Sequence, residues 1–319
     1  MGKELGRIAC KGCGDRRGGL EYDGGTGALM RYSDLGRFLG EGKAALVRGP
    51  VALILAEDAV EVESTVRHHQ TAGFVSVILL AHPDIPLDQS LEAVIHRVDH
   101  DTHAGDALVT AVNRLNEAAP PGLWLYYGFN AEYLFHPFCE TRNISEMLAF
   151  HAEERRDAVL SYVVDLYADD LALYPNAVSL ERAHLDKSGY YALGRPDPAN
   201  HNHPRERQLD FFGGLRWRFE EHIPPARRKI DRIALFRSKP GLRLRRDFTF
   251  SDEEYNTYAC AWHHNITTAV ASFRTAKALR TNAGSMFDIQ TFTWRNSVPF
   301  EWQSQQLFDL GLMEPGQWF

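Results

Sequence analysis

The sequence predicts an α/β protein built on a doubly wound, mostly parallel sheet. The apolar runs Val51–Ala56 and Phe74–Leu80 are continuous instead of alternating, as in strands buried on both faces. Between them Val62, Val66 and Gln70 recur at helical spacing and Gly73 supplies a stop. Strand, helix and strand therefore fall within about thirty residues, the length of a βαβ unit. A third observation is the stretch Trp124–Cys139. Its front, Leu123–Tyr127, follows the breaker Pro120-Pro121-Gly122 and has the character of a buried central strand, and polarity then changes abruptly at Asn130 and Glu132. In an open α/β sheet ligands sit outside the carboxyl ends of the strands, which is where this polar pair stands.

Composition bounds the reading. A chain of 319 residues, 44% hydrophobic, can bury a full core in one large domain or two smaller ones. A net charge of -7 argues against a general nucleic-acid binder, and the basic clusters Arg227-Arg228-Lys229 and Arg243–Arg246 are expected to be solvated faces. No apolar run approaches ~18 residues and no signal-peptide core is present, so the expectation is a cytoplasmic protein without a transmembrane segment. The four cysteines, Cys10, Cys13, Cys139 and Cys260, are too few for a disulfide framework. Cys10 and Cys13 have the spacing of half a zinc knuckle, but no second pair follows.

The elements follow in chain order. Residues 1–49 form a Gly-rich lead that is expected to be poor in strand, because glycine raises the entropy cost of ordering. Val51–Ala56 ends on Glu57-Asp58, and the second strand ends on Ala81-His-Pro-Asp84. A third strand is expected around Val94–Val98, then a helix over Asp106–Ala118 carrying Leu108, Val112 and Leu115, then the aromatic strand. Residues 51–137 thus make the doubly wound half. Thr141–Arg156 is expected to be a helix capped by Asn143 or Ser145, and Val159–Leu166 a strand. Residues 186–209 have the composition of a loop, with His201 and His203 spaced as metal ligands can be but in a Pro-rich setting that more often exposes them. Asp210 precedes the Gly213-Gly214 pair, where glycine lets backbone approach a ligand or simply turns a strand pair. Ile230–Arg237 is a strand with basic flanks, Ile266–Leu279 has helical spacing at Ala269, Phe273 and Ala276, and an amphipathic tail leads to a docked apolar end at Trp318-Phe319.

Leu55–Asp58, Arg67-His-His69, Ala72-Gly-Phe74 and the strand Val77–Leu80 together resemble the opening of family 2-like glycosyltransferases of the GT-A fold. The block Trp124–Pro137 is similar to that family's Trp-x-x-x-x-Asp-x-Asp-Glu-Phe-Leu segment at Trp124, Glu132, Tyr133 and Leu134. Lys229-Ile230 to Arg237 resembles its basic strand, and Trp262-His263-His264 its late His-containing strand. The resemblance implies a GT-A-like domain over residues 50–285, after the lead 1–49 and before a docked tail, 286–319. It implies transfer of a sugar from a nucleoside diphosphate sugar to a saccharide or other hydroxyl acceptor. The family's Asp-x-Asp holds a divalent cation, manganese or magnesium, against the donor diphosphate. Here Phe129-Asn130-Ala131 stands in its place, and neither Phe nor Ala supplies the hard anionic oxygen such an ion needs. Protein cations are then expected to neutralise the leaving group, with no metal site.

On this reading Asp210 is the base that deprotonates the acceptor and Glu220 the runner-up. The resemblance puts Asp58 and His69 near the nucleotide, Asn130 and Glu132 near the donor sugar or phosphates, and Lys229, Arg237 and His264 at the diphosphate. Two other classes stay open: a non-catalytic nucleotide- or sugar-binding protein on the same scaffold, and a metal-dependent hydrolase, for which no His-Glu-x-x-His spacing appears.

Overall fold

A computed structural model describes residues 30–257 and 265–318. Its centre is a nine-stranded, mostly parallel sheet with the order β1-β4-β3-β2-β5-β12-β7-β13-β6. In chain order the strands are β1 (Arg31–Tyr32), β2 (Val51–Ala56), β3 (Ser76–Ala81), β4 (His96–Asp99), β5 (Trp124–Phe129), β6 (Glu132–Phe135), β7 (Ala158–Asp165), β12 (Asp231–Arg237) and β13 (Thr268–Ser272). Between β7 and β12 the chain adds β8 (Tyr167–Ala168), β9 (Ala183–Asp186), β10 (Tyr191–Asp197) and β11 (His203–Phe212), and β14 (Ser297–Pro299) comes last. Strands β2, β3, β4 and β5 are mutually parallel, as the continuous apolar runs predict. Strand β12 runs antiparallel between β5 and β7, and β6 antiparallel beside β13.

Helices cover both faces. Alternate residues of β2 divide between two cores: Val51, Leu53 and Leu55 pack with α1 (Leu35–Glu41) and α4 (Ala107–Ala118), while Ala52, Ile54 and Ala56 pack with α2 (Val62–Thr71) and α5 (Ile144–Glu153). Asn143 caps α5 in a capping box with Glu146, and Gly73 ends the turn after α2 at φ +98°. Among the described residues no helix is long and apolar enough to cross a membrane.

Several expectations are corrected. The strand-poor lead does not extend to residue 49: β1 pairs with β4 at the sheet edge, and Leu35 and Phe38 of α1 are core residues. The glycines and cysteines before residue 30, Cys260 and the segment Trp262-His263-His264 lie outside the described residues. Residues 186–209 are not a loop, because β10 and β11 form a hairpin whose tip carries His201 and His203 in exposed positions. The prolines that suggested a loop sit in this exposed two-stranded arm, where a missing N–H costs little. The helix expected over 266–279 is two elements, β13 and then α7 (Arg274–Thr281). Thr268–Ser272 is buried throughout, so the helical spacing of its apolar residues had no exposed face to define.

The chain leaves β5 through only two residues, Asn130 and Ala131, and enters β6 at the far end of the strand order. The sheet therefore folds over at this end and carries its far edge back across the carboxyl end of β5. Ala131, at φ +58°, makes that corner, and its N–H donates to Thr65 Oγ1 at 2.8 Å.

Candidate functional site

The connection from β2 leads to β3 on one side, and the connection from β4 returns to β5 on the other. The carboxyl ends of β2 and β5 thus flank a topological switch point, the usual ligand crevice of an open α/β sheet. Glu57 and Asp58 follow β2 there, and Asn130 follows β5. Asn130 is fully buried and turns its amide toward the loop after β2: Oδ1 accepts from the Glu57 N–H at 2.9 Å, while Nδ2 donates to Asp58 Oδ1 at 2.6 Å and Val60 O at 2.8 Å. It fixes the loop from behind.

Glu132 and Arg232 form a buried ion pair beneath this loop, with Arg232 Nη2 at 2.7 Å from Glu132 Oε2. The same oxygen accepts from the Phe129 N–H at 3.0 Å, and Oε1 accepts from Ser272 Oγ at 3.1 Å. Burial works against the Glu132 carboxylate, but Arg232, by charge and hydrogen bond, holds it below the ordinary range. The pair ties β6, β12 and β13 to the end of β5.

Two cations from α7 close the front. Arg274 donates from Nε and Nη2 to both oxygens of Glu57, each at 2.6 Å, and its guanidinium lies 3.8 Å from the Phe129 ring centroid. Lys277, one turn on, reaches both Asp58 oxygens at 3.1 and 2.9 Å. The switch point therefore holds carboxylates and cations that answer one another, and it is planar bidentate and cation–π geometry that orients Arg274.

A second cluster stands at the same end of the sheet. Asp210 on β11 accepts from Arg195 Nε at 2.7 Å and from Lys229 Nζ at 3.4 Å, and Arg195 Nη2 reaches Asp231 Oδ2 at 3.0 Å. Burial raises the Asp231 carboxyl against the opposing charges of Lys229 and Arg195. Carrying on the register in which Leu235 faces Tyr126 sets Asp231 level with Asn130. Strand β12 lies two strand spacings, about 10 Å, from β2, so the two clusters are neighbours across the sheet end. Next to them a cavity of about 10 Å³, lined by Arg195, Asp231, Arg232 and Thr249 among others, has room for about one water.

Of the residues expected at the site, Asp58, Asn130 and Glu132 come together at the switch point, and Asp210 and Lys229 in the second cluster. His69 does not reach either. It is buried against Tyr126, with ring centroids 4.8 Å apart, its Nδ1 lies 2.8 Å from Thr65 O, and burial pulls its pKa down to about 3. Arg237 sits at the opposite end of β12, about 20 Å from the start of that strand, where it pairs with Asp157 and Gly122 O, so it cannot share an anion with Lys229. Glu220 is exposed and pairs with Arg228 Nη1 at 3.3 Å. His264 lies outside the described residues. At the Gly213-Gly214 pair the backbone lies close to a side chain: a Cβ on Gly214 would stand 3.1 Å from Asp165 Oδ2, and Arg216, two residues on, binds that carboxylate.

The polar side chains after β5, Asn130 and Glu132, do not fit a divalent ion. The Asn130 amide oxygen is taken by the Glu57 N–H, and both Glu132 oxygens are taken by Phe129, Arg232 and Ser272. Among the described residues no group of His, Cys, Asp and Glu side chains is arranged to hold a metal.

Sequence reasoning missed Glu57, Arg232, Arg274 and Lys277. Glu57 could have been found, since it is the first residue past an apolar strand. Arg274 and Lys277 were hidden by the misplaced helix, which hid that α7 begins where β13 reaches the same sheet end. No protein-family model matches the chain, and no curated protein matches it.

Proposed function

We propose that this chain is a glycosyltransferase-type protein of GT-A-like architecture that transfers a sugar from a nucleoside diphosphate sugar to a hydroxyl acceptor without a metal held by an Asp-x-Asp pair. The observation that carries the reading is the placement of Glu57, Asp58 and Asn130 at the switch point between β2 and β5, with the Asp210 cluster about two strand spacings away. A donor in the crevice over β2 and β5 faces an acceptor over β12 and β7. The acceptor hydroxyl loses its proton to a carboxylate, its oxygen bonds to the anomeric carbon, and the bond from that carbon to the diphosphate breaks, the diphosphate leaving with the electron pair. Asp210 is the carboxylate best placed for the proton, since it stands at the sheet end, and Glu220 is not.

One observation favours a non-catalytic binder on the same scaffold. The charged groups of the switch point satisfy one another, Glu57 pairing with Arg274, Asp58 with Lys277 and Glu132 with Arg232. Incubation with a panel of nucleotide sugars and hydroxyl acceptors, following released nucleoside diphosphate and glycosylated product, tests the choice. Product with any donor supports transfer, while nucleotide binding without turnover supports the binder.

A further inference from the structure

We propose that Arg274 and Lys277 are the diphosphate-binding pair of this site, and that Glu57 is an intramolecular latch occupying the Arg274 fork until a diphosphate displaces it. The proposal rests on the reading of the switch point as a nucleotide site and assigns to it cations that the sequence did not single out.

The geometry around Arg274 is that of an oxyanion receptor already filled. Its Nε and Nη2 take two oxygens of one acceptor at 2.6 Å each, the bidentate arrangement a guanidinium makes with a carboxylate or a phosphoryl group alike. The Phe129 ring under the guanidinium at 3.8 Å fixes the plane of the fork independently of Glu57. Arg274 therefore keeps its aim when the carboxylate leaves. Lys277 lies three residues on along α7, on the same face, within the reach of a second phosphoryl group. Behind Phe129, Arg232 stands 5.9 Å from the same ring, and its Nε–H has no partner among the described residues although the side chain is 5% exposed.

The two carboxylates differ in how firmly they are held. Asp58 Oδ1 accepts from the Val60 N–H at 2.9 Å and from Asn130 Nδ2 at 2.6 Å in addition to Lys277. The Glu57 carboxylate contacts only Arg274 among the described residues, and its side chain is 28% exposed. The Glu57–Arg274 pair is part-buried, with side chains 30% exposed for Arg274 and 28% for Glu57, so water reaches the carboxylate as it leaves, and exchanging its single charge for that of a diphosphate strengthens the fork. Asp58 stays where it is and shares Lys277 with the incoming anion.

The test uses inorganic pyrophosphate and uridine and guanosine diphosphates as probes, titrated calorimetrically into the full chain. Glu57→Gln removes the competing charge and is expected to raise pyrophosphate affinity fivefold or more. Arg274→Ala is expected to lower it at least tenfold, and the double variant to bind no better than Arg274→Ala alone. Arg274→Lys, which keeps the charge and loses the fork, serves where the alanine variant does not fold, and is expected to bind severalfold more weakly than wild type. Equal or weaker binding by Glu57→Gln, wild-type affinity in the Arg274 variants, or no pyrophosphate binding by any of them overturns the proposal. Binding in the expected order with no sugar transfer overturns the transfer reading and leaves the latch in place. Transfer that ignores Glu57 and Arg274 does the reverse.

Discussion

Asn130 donates through Nδ2 to Asp58 Oδ1 at 2.6 Å, and that bond defines what position 130 does. The same nitrogen faces the carbonyls of Asp58 and Val60, so three acceptors converge on the amide of one fully buried side chain. Asn130→Asp, which places an acid after β5, replaces that donor with a carboxylate oxygen. Buried acceptors left facing one another cost roughly 1–3 kcal/mol each, more for a charge. The variant is expected to lose about 3 kcal/mol or more in urea unfolding, and manganese is expected not to restore it. Wild-type stability, or a manganese-dependent gain, would show that the acid finds a ligand role after all.

The Glu132–Arg232 pair sets a second expectation. With both side chains at 5% exposure or less, removal of one partner leaves the other charge buried and uncompensated. Arg232→Met is therefore expected to cost roughly 3–5 kcal/mol, and Glu132→Leu added to it to recover part of that loss. Denaturant midpoints of the single and double variants measure both. A double variant less stable than the single one would mean that Glu132 is held by Phe129 and Ser272 well enough without Arg232.

The parallel half of the fold was legible because burial on both faces leaves a plain mark, a continuous apolar run such as Val51–Ala56. The same burial made Thr268–Ser272 ambiguous, since a short apolar segment followed at once by a helix has no periodicity of its own. Residues brought together at the candidate site were legible where they follow the carboxyl end of a strand, as Asp58 and Asn130 do. Arg237 was misassigned because a strand's sequence does not disclose which end faces the ligand until its direction in the sheet is known, and β12 runs against its neighbours. His69 was placed near the nucleotide by resemblance alone, and a resemblance does not show which way a side chain turns; the ring turns inward onto Tyr126.

Gly214 offers a local test of packing. Its φ of +61° is a left-handed conformation, and an added Cβ would press to 3.1 Å from Asp165 Oδ2, a carboxylate fully buried and bound by Arg216. Gly214→Ala is expected to cost roughly 1–3 kcal/mol through backbone strain and displacement of that carboxylate. A melting temperature unchanged from wild type would mean that the Asp165–Arg216 pair shifts without loss.

Stability should fall on acidification well before carboxylates titrate. Burial pulls His69 down to about 3, and His136 and His151 each to about 4, against an ordinary value of 6.5. Between pH 6.5 and about 4 the unfolded chain binds protons that these buried rings refuse, so stability is fully present above pH 6.5 and declines as pH drops. Each ring contributes a slope of up to about 1.4 kcal/mol per pH unit. Unfolding free energy measured from pH 7.5 to 5 is expected to fall, and His69→Phe to flatten the slope by about one proton. A flat profile in wild type would show that these rings charge without unfolding.

Asp210 carries the chemical prediction. Its carboxylate is gripped by Arg195 at 2.7 Å and Lys229 at 3.4 Å, so it is held at the sheet end beside Asp231. Asp210→Asn keeps shape and removes proton acceptance, and transfer turnover is expected to fall on the order of a hundredfold or more. Nucleotide-sugar affinity should change little, because the charged groups of the switch point do not touch Asp210. Glu220→Gln removes only an exposed pairing with Arg228 and is expected to leave turnover near wild type. Two outcomes separate a base from an ion-pair partner. If Asp210→Asn loses turnover and the loss follows the pH profile of a single ionisation, the carboxylate takes the proton. If it melts earlier yet turns over at the wild-type rate when folded, Asp210 only anchors Arg195 and Lys229, and the base belongs elsewhere.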